Sequence, residues 1–241
     1  LAFDFEWANK NLFYDQYTRV GSFFDNSELK ASGLPTGKEL AILETVRSEV
    51  PPEVFTTEWK NPENKTPEDV RRNLSMAVKL FAEAGWTPKD GVLTNAKGEK
   101  LTAEILLVQP DFERVVLPLK NTLEKLGVGI TVRIVDVAQY QRRNETFNFD
   151  IMVSSFPQSI SPGNEQRNFW GSEAAGHEGS RNVIGIKNPA IDKLVERLIL
   201  ATDREDLVAA TRALDRVLLW NFYLIPQWHL PFERLAYWDK F

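Results

Sequence analysis

Residues 101–156 read LTAEILLVQPDFERVVLPLKNTLEKLGVGITVRIVDVAQYQRRNETFNFDIMVSSF, and their periodicity alternates between that of strand and that of helix. Residues 101–108 end in a nearly continuous apolar run, as expected of a strand covered on both faces. Between 111 and 126, Phe112, Val115, Val116, Leu119, Leu123 and Leu126 fall at offsets 0, 3, 4, 7, 11 and 14, the stripe of a helix packed on one side. Asp111 is placed to cap its start, Gly127 to stop it, and Pro118 to bend it. Residues 130–137 alternate and are β-branched, which predicts a second strand. Asp136 stands where it would cap a short helix over 138–146, and FDIMVSSF at 149–156 predicts a third strand. Two successive β-α-β units imply parallel strands joined by right-handed crossovers, so the fold class is α/β.

That topology directs attention to the carboxyl ends of the strands, where open α/β sheets bind ligands. The third strand runs into Ser154, Ser155 and Phe156, then Pro157, Gln158, Ser159, Ile160, Ser161, Pro162, Gly163 and Asn164. This aperiodic stretch reads either as a surface turn or as a rim facing a ligand.

Outside this centre the chain carries further helical signals. Asp4 is positioned to cap a helix over 6–18. Thr66 at the N-cap, Pro67 at the first helical position and Asp69 at the third open another, which ends near Gly85. Asn188-Pro189 and Asp203 begin two more, and residues 39–47 suit a short one. Consecutive prolines at 51 and 52 predict extended backbone over 50–55. Residues 91–101 read as a hairpin turning near 95–98. Residues 223–229, with Pro226, read as an edge or crossover strand. In the loop at 21–27, Phe23 and Phe24 suit either a binding rim or a core. The tail, with Trp228, Phe232, Tyr237, Trp238 and Phe241, is expected to contact a partner surface.

With 241 residues, 43% hydrophobic and 26% charged, the chain has an ordinary globular balance. A net charge of -5 supplies no basic surplus for phosphate neutralisation, which argues against nucleic acid as a partner. Cysteine is absent, so neither disulfides nor thiolate chemistry arise, and no 18-residue apolar span occurs. The start at Leu1 shows no signal-peptide pattern and drops straight into patterned sequence; we read the chain as a piece of a longer protein.

Enzyme signatures do not assemble, and neither a metal nor another cofactor is expected. His177-Glu178 lacks the second histidine of a zinc-protease helix. The stretch at 33–39, GLPTGKE, is one residue short of a phosphate loop and lacks its hydroxyl. Neither G-x-S-x-G nor G-x-G-x-x-G occurs. Asp111, Asp192, Asp203 and Asp206 sit at predicted helix starts, where capping and the helix dipole account for them.

The order of segments carries a resemblance. TPEDVRRNLSMAVKLFAEAGW (66–86), LTAEILLV (101–108), ERVVLPLKNTLEKLGVGITVRIVD (113–136), FDIMVSSF (149–156), Asn182 within RNVIG, and residues 188–228 together resemble the family 5 extracellular solute-binding proteins of ABC importers. AFDFEWANKNLFYDQYTRVGSFFDNSEL (2–29) and GLPTGKELAILE (33–44) are similar to the YejA branch, associated with oligopeptide and microcin C uptake. The resemblance implies one lobe of a type II periplasmic-binding-protein-like fold. Residues 1–227 would form the second, C-terminal lobe and 228–241 the crossing back to a first lobe that lies mostly upstream. It also implies a periplasmic location, a short peptide or modified peptide as ligand, permease subunits as partners, and hinge closure of two lobes.

In peptide-binding relatives the ligand backbone lies along the chain after the third strand. By that resemblance the contacts here are Ser155, Phe156 and Pro157, with Gln158, Ser159 and Ser161 beside them. Ser22, Phe24 and Asn26 join from the N-terminal loop, and Arg167 is the candidate for an anionic group. Ser159 stands where some relatives carry an aspartate, and Val153 where those carry a cation, which points to a modified or differently oriented peptide. The competing readings are an enzyme whose catalytic residues lie outside this chain, and a chain kept for docking to another protein. Clustered titratable groups at the strand ends would mark an enzyme; serines, aromatics and open main chain would mark a binder.

Overall fold

A computed structural model describes residues 1–232, 235–238 and 240. The chain opens with α1 (Phe5–Leu12), capped by Asp4, whose side chain accepts from the Trp7 amide at 3.0 Å. The helix is shorter than its pattern predicts, because Tyr14 and Asp15 take left-handed backbone and turn the chain into β1 (Thr18–Arg19). Next come α2 (Gly37–Glu44) and α3 (Glu53–Thr56). The last corrects the expectation of extended backbone. Pro52, at φ -62°, is the N-cap of α3, a place where a missing N–H costs nothing.

Helix α4 (Pro67–Glu83) begins with a reciprocal capping box between Thr66 and Asp69. It is followed by the hairpin of β2 (Thr87–Lys89) and β3 (Val92–Thr94), turning at Asp90-Gly91. The turn expected at 95–98 is also present, closed by the Gly98 amide on the Asn95 carbonyl and a single bridge between Thr94 and Lys100.

The central unit is β4 (Thr102–Leu107), α5 (Glu113–Lys125), β5 (Gly129–Ile134), α6 (Val137–Glu145) and β6 (Ile151–Met152). Its sheet is parallel in the order β5-β4-β6, as two β-α-β units require. Asp136 caps α6, accepting from the Gln139 amide at 2.9 Å. Gly127, at φ +92°, ends the α5 segment, and a side chain there would meet the Leu93 backbone nitrogen at 3.0 Å. Two expectations change. Asp111 lies in a short 3-10 turn, leaving Phe112 as the N-cap of α5. The third strand stops at Met152, which pairs with Leu106, one residue from the end of β4.

The rest is mostly helical: α7 (Glu165–Trp170), α8 (Pro189–Ile199) and α9 (Arg204–Trp220), then β7 (Trp228–His229), which pairs antiparallel with β1. Asn188 and Asp203 cap α8 and α9 as predicted. Of the strand expected over 223–229, only β7 forms. Asn182, fully buried, pins the irregular chain before α8 by bonding Gly171 and Ile186.

The largest core joins α2, α3, α7, α8 and α9 through Leu43, Val54, Trp170, Ile191, Leu194 and Leu214. A second lies under the sheet, around Leu93, Ile105, Leu107, Val116 and Ile130. A third, around Phe3, Phe5, Phe13 and Leu119, takes Trp228 against it, so β7 lies beside the opening segment of the chain. Tyr237 and Trp238 are exposed, and Phe241 lies outside the described residues. Among the described residues no helix is long and apolar enough to cross a membrane.

Candidate functional site

Because the three central strands are parallel, β4, β5 and β6 all end on one edge, and the segment 153–163 leaves the sheet there. Its sequence, VSSFPQSISPG, has no ionisable side chain. Prolines at 157 and 162 withhold donors and keep the backbone out of a helix.

The segment has two different sides. Phe156 and Gln158 are half-buried, whereas Ser154, Ser155, Pro157, Ser159 and Ser161 are exposed. The Phe156 ring stacks on Trp170 at 5.3 Å and 27°, and meets Phe23 edge-on at 6.2 Å. The Gln158 side-chain oxygen accepts from Gln166 Nε2 at 2.7 Å, and Gln166 Oε1 in turn accepts from Trp170 Nε1 at 2.8 Å. One side is therefore bolted to the helical core.

Both ends of the segment are tied. Tyr140 Oη donates to the Val153 carbonyl at 3.1 Å, and Arg204 Nη1 to the Ile160 carbonyl at 2.6 Å. Burial raises the pKa of the Tyr140 phenol, keeping it a donor. Between these ties, the main-chain groups of residues 154–159 make no hydrogen bond to another described residue. The result is an exposed run of open N–H and C=O groups on a rigid backing, the arrangement to which an extended chain can add.

The N-terminal loop is held from behind by α9. Asp215 accepts from Ser22 Oγ at 2.7 Å and from the amides of Phe23 and Ala31 at 2.9 Å each. Burial pushes its pKa up to about 6; the three donors oppose that rise, and nearby Asp25 adds slightly to it. Arg212 holds the Glu28 carbonyl at 2.9 Å. Arg216, 1% exposed, pairs with Glu39 at 2.8 Å and donates to the carbonyls of Ser32 and Gly33.

These contacts bear on three of the expected ligand residues. Ser22 and Phe24, expected at a ligand-facing rim, are 1% and 2% exposed; the Ser22 hydroxyl is consumed by Asp215 and the Phe24 amide, so both residues pack into the interior. Arg167 is spent on a fork to Glu196, both bonds 2.6 Å, with a third donor on Asn164. The pair holds the Arg167 guanidinium above its usual range and the Glu196 carboxyl below its own, so both charges are already answered. Asn26 is exposed in a left-handed turn at φ +61°.

Sequence reasoning missed Tyr140, Gln166, Trp170 and Arg204, the residues that support the rim. Only Trp170 carried a local signal, as a large aromatic in a polar stretch. Among the described residues no group of three or more His, Cys, Asp or Glu is placed to hold a metal ion. The carboxylates bordering the segment are engaged: Glu28 with Arg204, Glu196 with Arg167, and Glu165 with the Gly163 amide. What this edge offers is serines, one aromatic ring and main chain.

Comparison with known proteins finds relatives in sequence and in fold. Residues 1–178 match the family described as bacterial extracellular solute-binding proteins, family 5 Middle. The chain is 49% identical over 239 residues to the probable peptide-binding protein YejA of Agrobacterium fabrum, covering 99% of this chain and 39% of that one. It is 37% identical to the peptidoglycan-binding protein YepA of the same organism, covering 98% of this chain and 39% of the relative. The chain thus spans about two fifths of the length of these relatives. In fold it is similar to the oligopeptide-binding protein AppA of Bacillus subtilis in complex with a nonapeptide, with a TM-score of 0.71 at 18% identity, over 95% of this chain and 40% of that one. It is likewise similar to NikZ of Campylobacter jejuni in complex with Ni(L-His), with a TM-score of 0.71 at 16% identity, over 95% and 40%. The fold is thus a lobe of the type II periplasmic-binding-protein architecture, as expected.

Proposed function

The chain belongs to the family 5 bacterial extracellular solute-binding proteins, and from that membership we propose that it is part of the substrate-binding component of an ABC importer. This component captures short peptides or peptide-derived compounds and delivers them to a membrane permease. The observation that carries the reading is the open main chain of residues 154–159, backed by Trp170 and clamped at both ends. An extended ligand adds to it as a strand, with Ser155, Phe156 and Pro157 as the main-chain contacts and Gln158, Ser159 and Ser161 beside them. The names of the relatives, peptide-binding and peptidoglycan-binding, support a peptide or a compound built on one. A compound of the microcin C type fits the same reading, and the periplasm is the compartment where such a component works.

In this reading residues 1–227 form one lobe and 228–241 cross toward a second. The pairing of β1 with β7, and the packing of Trp228 against Phe3, Phe13 and Tyr17, put both connections side by side, as a hinge between two lobes requires. The exposed Leu235, Tyr237 and Trp238 then face the other lobe.

Calorimetric titration of the intact polypeptide and of this 241-residue chain against a library of short peptides tests the proposal. The intact protein is expected to bind, and this chain alone to bind much more weakly, because half the contacts are absent. Equal affinities would overturn the two-lobe arrangement; no binding of any peptide by the intact protein would overturn the ligand class.

A further inference from the structure

We propose that Asp215 is a positioning residue for the rim: it fixes Phe23, and Phe23 sets the ring of Phe156 on which ligand is received. The ligand part of this inference rests on the peptide-binding reading above.

Asp215 is fully buried on α9, and its three donors, Ser22, Phe23 and Ala31, come from both ends of one ten-residue loop. One side chain therefore closes that loop. The Phe23 ring stands edge-on to Phe156, at 6.2 Å and 77°, and edge-on to Trp170, at 5.0 Å and 75°. Its backbone amide is the group bonded to Asp215 Oδ1, so the tether acts one residue-length from the ring that touches the rim.

A second tie runs in parallel: Arg204 joins Glu28 of the loop to the Ile160 carbonyl of the rim. Loop and rim are thus fastened to α9 as one body. Apolar packing alone tolerates sliding of a ring along its neighbours. A buried carboxylate with three fixed donors has a single arrangement, and leaving it strands polar groups out of reach of water. The loop held this way presents Phe23 to the rim.

The test is a double-mutant cycle in the intact polypeptide, read as affinity for an equimolar tripeptide library. Asp215→Asn is expected to lower affinity on the order of tenfold in the wild-type background and to have no further effect once Phe156→Ala is present. Additive losses would overturn the inference, because a merely structural defect does not depend on Phe156. A ligand-free measurement accompanies it, with 4-fluorophenylalanine in place of Phe156. The ¹⁹F resonance is expected to shift or broaden with Asp215→Asn and, more mildly, with Ser22→Ala, which removes one donor and leaves two. An unchanged resonance in Ser22→Ala would overturn the inference even where Asp215→Asn does not fold. Wild-type protein that binds no tripeptide would sink the ligand reading, and the ¹⁹F measurement would still decide the positioning role.

Discussion

The helical half of the chain and its sheet half are built to different standards. Around α8 and α9 the core is closed: Leu194, Ala210, Ala213, Leu214 and Val217 are at most 1% exposed, and buried polar groups such as Asn182, Asp215 and Arg216 all have partners. The sheet is only three strands wide. Thr131, Arg133 and Ile134 of its edge strand β5 are exposed, and β6 contributes two paired residues. The rim lies at the junction and takes its backing from the helical side, through Trp170, Gln166 and Arg204. Ligand geometry is therefore expected to follow the integrity of the helical core more than that of the sheet.

Trp170→Ala should show the largest effect, a loss of about 3–5 kcal/mol in denaturant unfolding together with weakened ligand binding, since the ring fills the core and also carries Phe156. Val132→Ala, in the half-buried sheet edge, should cost about 1 kcal/mol and leave binding nearly intact. Equal losses from the two would break the contrast.

Next in size is a pH dependence. The folded pKa of Asp215, about 6, lies above the ordinary aspartate value of 3.8, so the native state holds the proton more tightly. Its stabilising contribution is complete below about pH 4, declines as pH rises through about 6, and the total is at most about 3 kcal/mol. Unfolding midpoints compared across this range should show that slope in wild type and lose it in Asp215→Asn; a slope retained by the variant would assign it elsewhere.

The smallest effect is expected at Arg167. Its partner Glu196 is about half exposed, and water replaces the pair readily. Arg167→Ala should leave both the unfolding midpoint and peptide affinity within measurement error. A clear loss of affinity with unchanged stability would restore Arg167 to the ligand site.

Much of the architecture was legible because its signals are local. Thr66 with Asp69, Asp136, Asn188, Asp203 and Gly127 each act within a few residues, and each does what its position implied. The paired prolines misled because proline favours two outcomes, extended backbone and a helix start, and only the neighbours of α3 choose between them. The third strand was overestimated for a related reason. Its apolar residues suit a strand, but a strand needs a partner, and β4 ends at Leu107.

The segment after the third strand could be located from the order of elements, since parallel topology alone places it on the carboxyl edge. Which side chains face outward there could not. Ser22 and Asp215 are 193 residues apart, Glu28 and Arg204 are 176 apart, and Arg167 and Glu196 are 29 apart. By itself the sequence determined the helix starts, the parallel centre and the neutral character of the rim, all properties of adjacent residues. The tertiary structure alone decided that Ser22 and Phe24 turn inward, that Arg167 is already paired, and that α9 braces the rim. Those outcomes depend on hydrogen-bonding groups brought together only when distant segments pack.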